Sequence, residues 1–231
     1  MSKTLDVTPG IAVAPTPLGY AIAKRTLDLG ASTIGLVAAS PILLGVALGI
    51  KLTSPGPILF RQVRVGLGGR HFYCYKFRSM NADADEDEHW RHVRNLVGSA
   101  GGGAGSGAGS GEAATWTPIA QDARVTRIGR LLRRSHVDEL PQLLNVVRGE
   151  MSLVGPRPPI PYEVELYKPW HLRRLAVKPG LTGLWQAVGW GKLSFDDGVR
   201  LDLVYIRRRS FWFDLALIMR TLAQIVTGRQ F

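Results

Sequence analysis

The sequence predicts a mixed α/β (α+β) protein. An N-terminal re-entrant membrane helix, broken in its middle, precedes a small mixed domain with a β-hairpin and amphipathic interface helices. Three observations lead there. Leu29–Ile50 contains no charged residue, and a run of about 20 apolar residues is long enough to enter a bilayer. Two short runs rich in β-branched and aromatic residues flank a glycine cluster, which is hairpin patterning. Further on, apolar residues recur at helical spacing beside clusters of arginine.

Residues 1–18 are rich in Pro and Thr and read as a flexible tail, without the charge or cleavage pattern of a signal peptide. Residues 19–51 form the membrane segment. Ser40-Pro41 lies in its middle, where proline removes a helix hydrogen bond and favours a kink. Lys24-Arg25 precedes the apolar run and Lys51 follows it. Basic flanks stay on the cytoplasmic side, so a helix that enters, bends at Pro41 and returns keeps both ends inside, with Lys24 and Arg25 as anchors. A buried helical hairpin of a soluble core is the competing reading.

Residues 52–231 form the second unit. Ile58–Val65 and His71–Phe77 are the hairpin strands, and Gly66–Gly69 turns between them; the glycines resemble a phosphate loop but open no helix. Asp83–Glu88 is acidic. Gly98–Gly111 is almost pure Gly, Ala and Ser, the composition of a flexible surface loop. Arg124, Arg127, Arg130, Arg133 and Arg134 are interleaved with Val125, Ile128, Leu131 and Leu132, which suits either a solvated helix face or an anion-facing one. Tyr162–Val177 and Phe211–Val226 read as amphipathic helices. Phe211, Trp212 and Phe213 beside Arg207, Arg208 and Arg209 suit a membrane interface or, equally, core packing.

The 231 residues carry a net charge of +11. Such a balance calls for an anionic partner: a nucleic acid, an anionic membrane face or a phosphate-rich substrate. No helix-turn-helix, RNA-recognition or zinc-finger pattern supports nucleic acid. The single cysteine, Cys74, excludes an intramolecular disulfide and suits a reducing cytosol.

Asp138 and Glu139 open a segment that runs through Pro141 to Gly149. Proline is tolerated in the first turn of a helix and glycine stops one. A helix over this stretch therefore places both carboxylates at its N-terminus, where the dipole favours negative charge. An isolated Asp-Glu pair is most often solvated surface. Here it is followed by Ser152-Leu153-Val154-Gly155-Pro156-Arg157-Pro158, preceded by Lys76-Phe77-Arg78-Ser79-Met80, and trailed by Lys178-Pro179-Gly180-Leu181-Thr182-Gly183.

These blocks, with Lys24-Arg25, Ser40-Pro41 and Asp138-Glu139-Leu140-Pro141-Gln142, resemble the bacterial sugar transferase family, the monotopic phosphoglycosyl transferases, over residues 19–227. The resemblance implies an enzyme on the cytoplasmic face of the bacterial inner membrane, with membrane lipids around it. It would move a sugar-1-phosphate from a nucleotide sugar (a UDP-sugar) to polyprenol (undecaprenyl) phosphate, priming glycoconjugate or exopolysaccharide assembly. Asp138 matches the nucleophile, and covalent catalysis splits the transfer in two. Glu139 matches the partner carboxylate that helps hold Mg²⁺. Arg78, Arg133 and Arg157 match phosphate-binding positions, and Asp202 matches a further acidic one. A carboxylate attacking a diphosphate needs such cations around it. The rivals are a catalytically silent membrane scaffold of the same fold, which the intact Asp138-Glu139 pair opposes, and a nucleic-acid-binding protein. Gly189-Trp190 departs from the Gly-Arg often present in the family, so the sequence leaves the sugar open. It also leaves open whether the protein is a monomer or a homo-oligomer.

Overall fold

The computed structural model describes residues 11–80, 94, 125–188 and 193–227. Asp83–Glu88, the Gly98–Gly111 stretch, Gly189-Trp190 and most of the 1–18 tail lie outside them.

Leu18–Thr53 forms one helix of 36 residues, α1, about 54 Å long at 1.5 Å per residue. The expected break is milder than a separation into two helices, because α1 runs unbroken through Pro41. Proline supplies no N–H to the carbonyl four residues earlier, that of Val37. The neighbouring Ser40 hydroxyl donates to that carbonyl instead, at 2.8 Å. The Ser-Pro pair thus removes one backbone hydrogen bond and replaces it, which an apolar environment requires. Only 6% of the most apolar window of α1 is buried by the rest of the protein. Ile34, Val37, Ile42, Leu44 and Leu48 are all exposed. A soluble core helix would have covered them; this is the surface of a membrane-associated helix.

Lys24, Arg25 and Asp28, near the start of α1, face protein. Lys24 Nζ donates to the Val154 carbonyl at 3.0 Å and to Asp214 at 2.8 Å. Arg25 donates to the carbonyls of Val146 and Val147 at 2.7 and 2.8 Å. Asp28 accepts from the Ser152 hydroxyl and the Leu153 N–H. Lys24 and Arg25 therefore tie the helix to the domain. Later in α1, Leu43, Val46, Ala47 and Ile50 pack with Phe77, Ile128 and Leu132.

β1 (Leu59–Val65) pairs antiparallel with β2 (His71–Phe77), in a register from Leu59↔Phe77 to Val65↔His71. The glycines between them form the expected turn, with Gly68 and Gly69 at φ 65° and 84°. The basic run becomes α2 (Arg127–Ser135), capped by the Thr126 hydroxyl, which accepts from the Gly129 N–H. Arg127, Arg130 and Arg134 form its solvated face, while Gly129 and Leu132 are buried. A 3₁₀ segment (Val137–Gln142) continues into α3 (Leu143–Arg148), which ends at Gly149 with φ 80°. The first turns are 3₁₀ rather than α, in keeping with Pro141 inside them.

A second sheet was not legible in the sequence. β3 (Ser152–Val154) and β4 (Gly180–Thr182) pair in parallel, and their strands are too short for periodicity to show. Glycines permit the approach: a Cβ at Gly180 would lie 2.1 Å from the Gly155 nitrogen. The helix expected over Tyr162–Val177 is instead α4 (Pro161–Glu165) and a separate 3₁₀ turn (His171–Ala176). Pro169 interrupts it, because proline denies the preceding residue helical geometry. α5 (Leu184–Val188), α6 (Phe195–Arg208) and α7 (Phe211–Thr227) complete the fold. Ser194 caps α6 by accepting from the Asp197 N–H, a start signal not read from the sequence.

One side chain joins the halves of this domain. Asn145, fully buried on α3, accepts from the Tyr75 N–H at 3.2 Å and donates to the Tyr73 carbonyl at 2.7 Å. It also donates to Glu150 at 2.7 Å. Asn145→Ala would leave these groups buried and unpaired, and should cost about 2–4 kcal/mol. Thermal unfolding in detergent should show this loss, whereas exposed Arg200→Ala should stay within about 0.5 kcal/mol of the parent.

Candidate active site

The site is built where the 3₁₀ segment meets the end of β2. α2 ends at His136, which adopts the left-handed conformation with φ 55°, alone among the described non-glycine residues. Histidine tolerates that region better than bulky or branched residues do. The turn reverses the chain and sets Asp138 and Glu139 at the head of the 3₁₀ segment. α3 behind it is fixed to β2 through Asn145. Lys76 on β2 forms an ion pair with Glu139.

Asp138 is 7% exposed. Burial pushes its carboxyl above the ordinary aspartate value; Lys76 pulls the other way, and the Glu139 charge adds to the rise. Glu139 moves in the opposite direction. Burial would raise it, but Lys76 outweighs that, with Arg157 and His136 helping, and holds it below the usual carboxylate range. Two adjacent carboxylates with different environments take different protonation behaviour. Glu139 is the carboxylate whose charge its surroundings favour, and Asp138 is the one whose charge burial disfavours against the pull of Lys76 and Arg133.

Arg133 and Arg157 reach this cluster by different routes. Arg133 Nε donates to the Ser79 hydroxyl at 3.0 Å, and its charge acts on Asp138. Arg157 follows β3, acts on Glu139, and lies 3.9 Å from Glu163. Two other expected residues sit elsewhere. Arg78 is buried and donates to the carbonyls of Pro55 and Ser54 at 2.6 and 2.8 Å. In this structure its donors tie the end of α1 to β2. Asp202 is 1% exposed and pairs with Arg174 at 2.6 Å. Burial pushes its carboxyl up to about 6, against the pull of Arg174. It is the buried ion-pair partner of Arg174.

Sequence reasoning passed over Lys76, although it lies in a quoted block. The signal was available: a lysine on an otherwise aromatic strand, one residue before a buried Phe77. Arg64 was also missed. It is buried on β1, donates to Pro158 O and Gln62, and burial together with Arg157 lowers its guanidinium to about 10.

The family described as "Bacterial sugar transferase" matches residues 19–228. This chain belongs to the bacterial sugar transferase family. Its relatives include galactosyl transferase CpsE of Streptococcus agalactiae, 39% identical over 90% of this chain and 43% of the relative. The UDP-glucose:undecaprenyl-phosphate glucose-1-phosphate transferase of Caulobacter vibrioides is 38% identical over 98% of this chain and 77% of the relative. The exopolysaccharide production protein ExoY of Rhizobium meliloti is 34% identical over 94% and 90%. The chain spans less than half the length of several relatives, CpsE among them. The matched region contains every element of the site, from Lys24 to Asp214.

Lys76→Met removes the charge that holds Glu139 low. In carboxyl-labelled protein without added metal, the Glu139 titration midpoint should move up by NMR. The fraction ionised between pH 4 and 6 should fall accordingly. A midpoint unchanged by the substitution would mean that Lys76 does not set the charge of Glu139.

Proposed function

We propose that this protein is a phosphoglycosyl transferase that moves a sugar-1-phosphate from a UDP-sugar to undecaprenyl phosphate. The observation that carries the reading is the pair Asp138-Glu139. It is held beside Lys76, Arg133 and Arg157, in a domain tied to a bare apolar helix. The reaction in the Caulobacter relative's name supports it. The relatives' names differ in sugar, galactosyl in one and glucose in another, and the proposal specifies none.

Asp138 attacks the phosphorus that carries the sugar. A bond forms from its carboxylate oxygen, the diphosphate P–O bond breaks, and UMP leaves with the electron pair. An oxygen of undecaprenyl phosphate then attacks the same phosphorus, and the carboxylate departs as the anion it was. The products are undecaprenyl diphosphosugar and UMP, with no net proton change. Attack of an anion on a diphosphate is slow unless positive charge screens it. Lys76, Arg133 and Arg157 supply that charge, with Arg suited to paired contacts with phosphate oxygens. Holding Glu139 ionised keeps a second carboxylate ready to bind a cation.

Among the described residues no group of three or more His, Cys, Asp or Glu side chains could hold a metal. Mg²⁺ fits this sparse set, because it commonly uses one or two carboxylates and completes its shell with water and substrate phosphates. Glu139 would hold it, and the ion, when bound, would neutralise charge on the diphosphate.

We further propose that α1 is re-entrant, with both ends on the cytoplasmic face of the inner membrane. The packing of α1 on the domain both before and after Pro41, at Arg25 and at Leu43–Ile50, supports it, with Pro41 as the point where the backbone lacks one hydrogen bond. The acceptor's chain then stays in the bilayer while its phosphate meets the domain.

Asp138→Asn keeps the shape and removes the nucleophile. With nucleotide sugar and Mg²⁺ but no acceptor, the parent should release up to one UMP per site and gain the mass of a sugar phosphate on the Asp138 peptide. The variant should do neither. Release that appears only with acceptor would indicate direct transfer, with Asp138 as a base or metal ligand. For topology, single cysteines at Thr16 and Phe60, in protein with Cys74 replaced, should both label from the cytoplasmic side; labelling from opposite sides would exclude re-entry.

A further inference from the structure

The corner between α6 and α7 faces the first turns of α1 across a cavity of about 550 Å³. Its walls include Gly19, Tyr20, Ala23, Arg207, Arg209 and Phe211. None of these belongs to the Asp138-Glu139 cluster. Arg207, Arg208 and Arg209 are consecutive, and none of them forms an ion pair among the described residues. The acid close by, Asp214, is already taken by Lys24, Tyr20 and Tyr205. Arg209 Nη2 donates to Pro15 O and the Thr16 hydroxyl, at 2.7 and 2.8 Å. Its Nη1 is closed off from solvent and has no acceptor among the described residues. That donor lies behind the wall, but with exposed Arg207 beside it the cavity carries positive charge that no acid balances, and Arg207 can reach an anionic acceptor inside it.

The surroundings indicate which anion. The first turns of α1 supply both a cavity wall and the exposed apolar residues Leu18 and Ile22. The first turn of α7 does the same, with Phe211 in the wall and Trp212 exposed. A soluble anion needs no apolar rim. A lipid needs a cationic recess bordered by one, and Trp with Arg is the usual residue pair at headgroup depth. We propose that this cavity binds the phosphate headgroup of an anionic phospholipid, whose acyl chains run along Leu18, Ile22 and Trp212. The site seats the α6–α7 corner on the membrane where α1 enters it, and rests on the reading that α1 is a membrane helix.

The test uses the full chain, reconstituted in vesicles of phosphatidylcholine and phosphatidylglycerol with a trace of undecaprenyl phosphate. Lipid retained on release is read by native mass spectrometry. The parent should retain phosphatidylglycerol in preference to phosphatidylcholine, and Arg207→Gln should lower that retention about fivefold, the worth of one arginine at an anionic surface. Lys51→Gln, an exposed cation at the other end of α1, should leave it unchanged. Equal loss in both variants would mean diffuse surface charge and overturn the site. Retention of undecaprenyl phosphate instead would assign the cavity to the acceptor and also overturn it. So would displacement of the lipid by excess inorganic phosphate, which would mark a soluble-anion site. Flotation on pure phosphatidylcholine vesicles separates the two readings: protein that floats there but retains no anionic lipid loses only this site. Protein that does not float there loses the membrane reading and the site together.

Discussion

A two-stranded hairpin leaves the backbone groups of its outer edge unpaired, and buried groups of that kind must find partners. Here the Asn145 carboxamide supplies them, accepting from Tyr75 N–H and donating to Tyr73 O. A single amide thus stands where a third strand would. The substitution brings β2, which carries Lys76, against the segment that carries Asp138 and Glu139. The same helix offers its terminal carbonyls, Val146 and Val147, to Arg25 of α1. The hairpin, the carboxylates and the membrane helix are therefore held through six residues of α3.

The large positive charge divides into kinds that composition cannot separate. Arg25 and Arg78 spend their donors on backbone carbonyls at element ends. Arg174 is buried against Asp202 and Glu163. Such buried cations are tolerated because carbonyls or carboxylates take up most of their donors, although Arg174 Nε has no partner among the described residues. Arg127, Arg130 and Arg134 remain solvated on α2. Lys76, Arg133 and Arg157 act on the two carboxylates. A net charge of +11 therefore mixes cations that face the carboxylate site with cations already committed inside the fold.

Apolar exposure organises the other half of the molecule. α1 leaves most of its apolar window bare, and α7 adds exposed Trp212, Met219, Leu222 and Val226. The charged residues near the start of α1 turn onto the domain, where Lys24, Asp214 and Tyr205 satisfy one another. Polar groups satisfied internally and apolar groups left outside is the inverse of a soluble helix, and it is what a lipid environment selects.

The sequence by itself determined much of this protein. The uncharged run, the hairpin with its glycine turn, the Gly149 stop and the α7 helix were all legible, because each depends on neighbours within a few residues. So was the grouping of Asp138 with Glu139, which are adjacent in the chain. Tertiary structure decided which distant side chains joined them. Lys76 is 63 residues from Glu139, and only the docking of α3 on β2 brings it there. The β3–β4 pairing, the partition of Arg78 and Asp202 into structural contacts, and the turning of Lys24 and Arg25 onto protein were likewise beyond local reading. Charge and periodicity state what a residue can bind, whereas the partner it binds depends on which elements pack together.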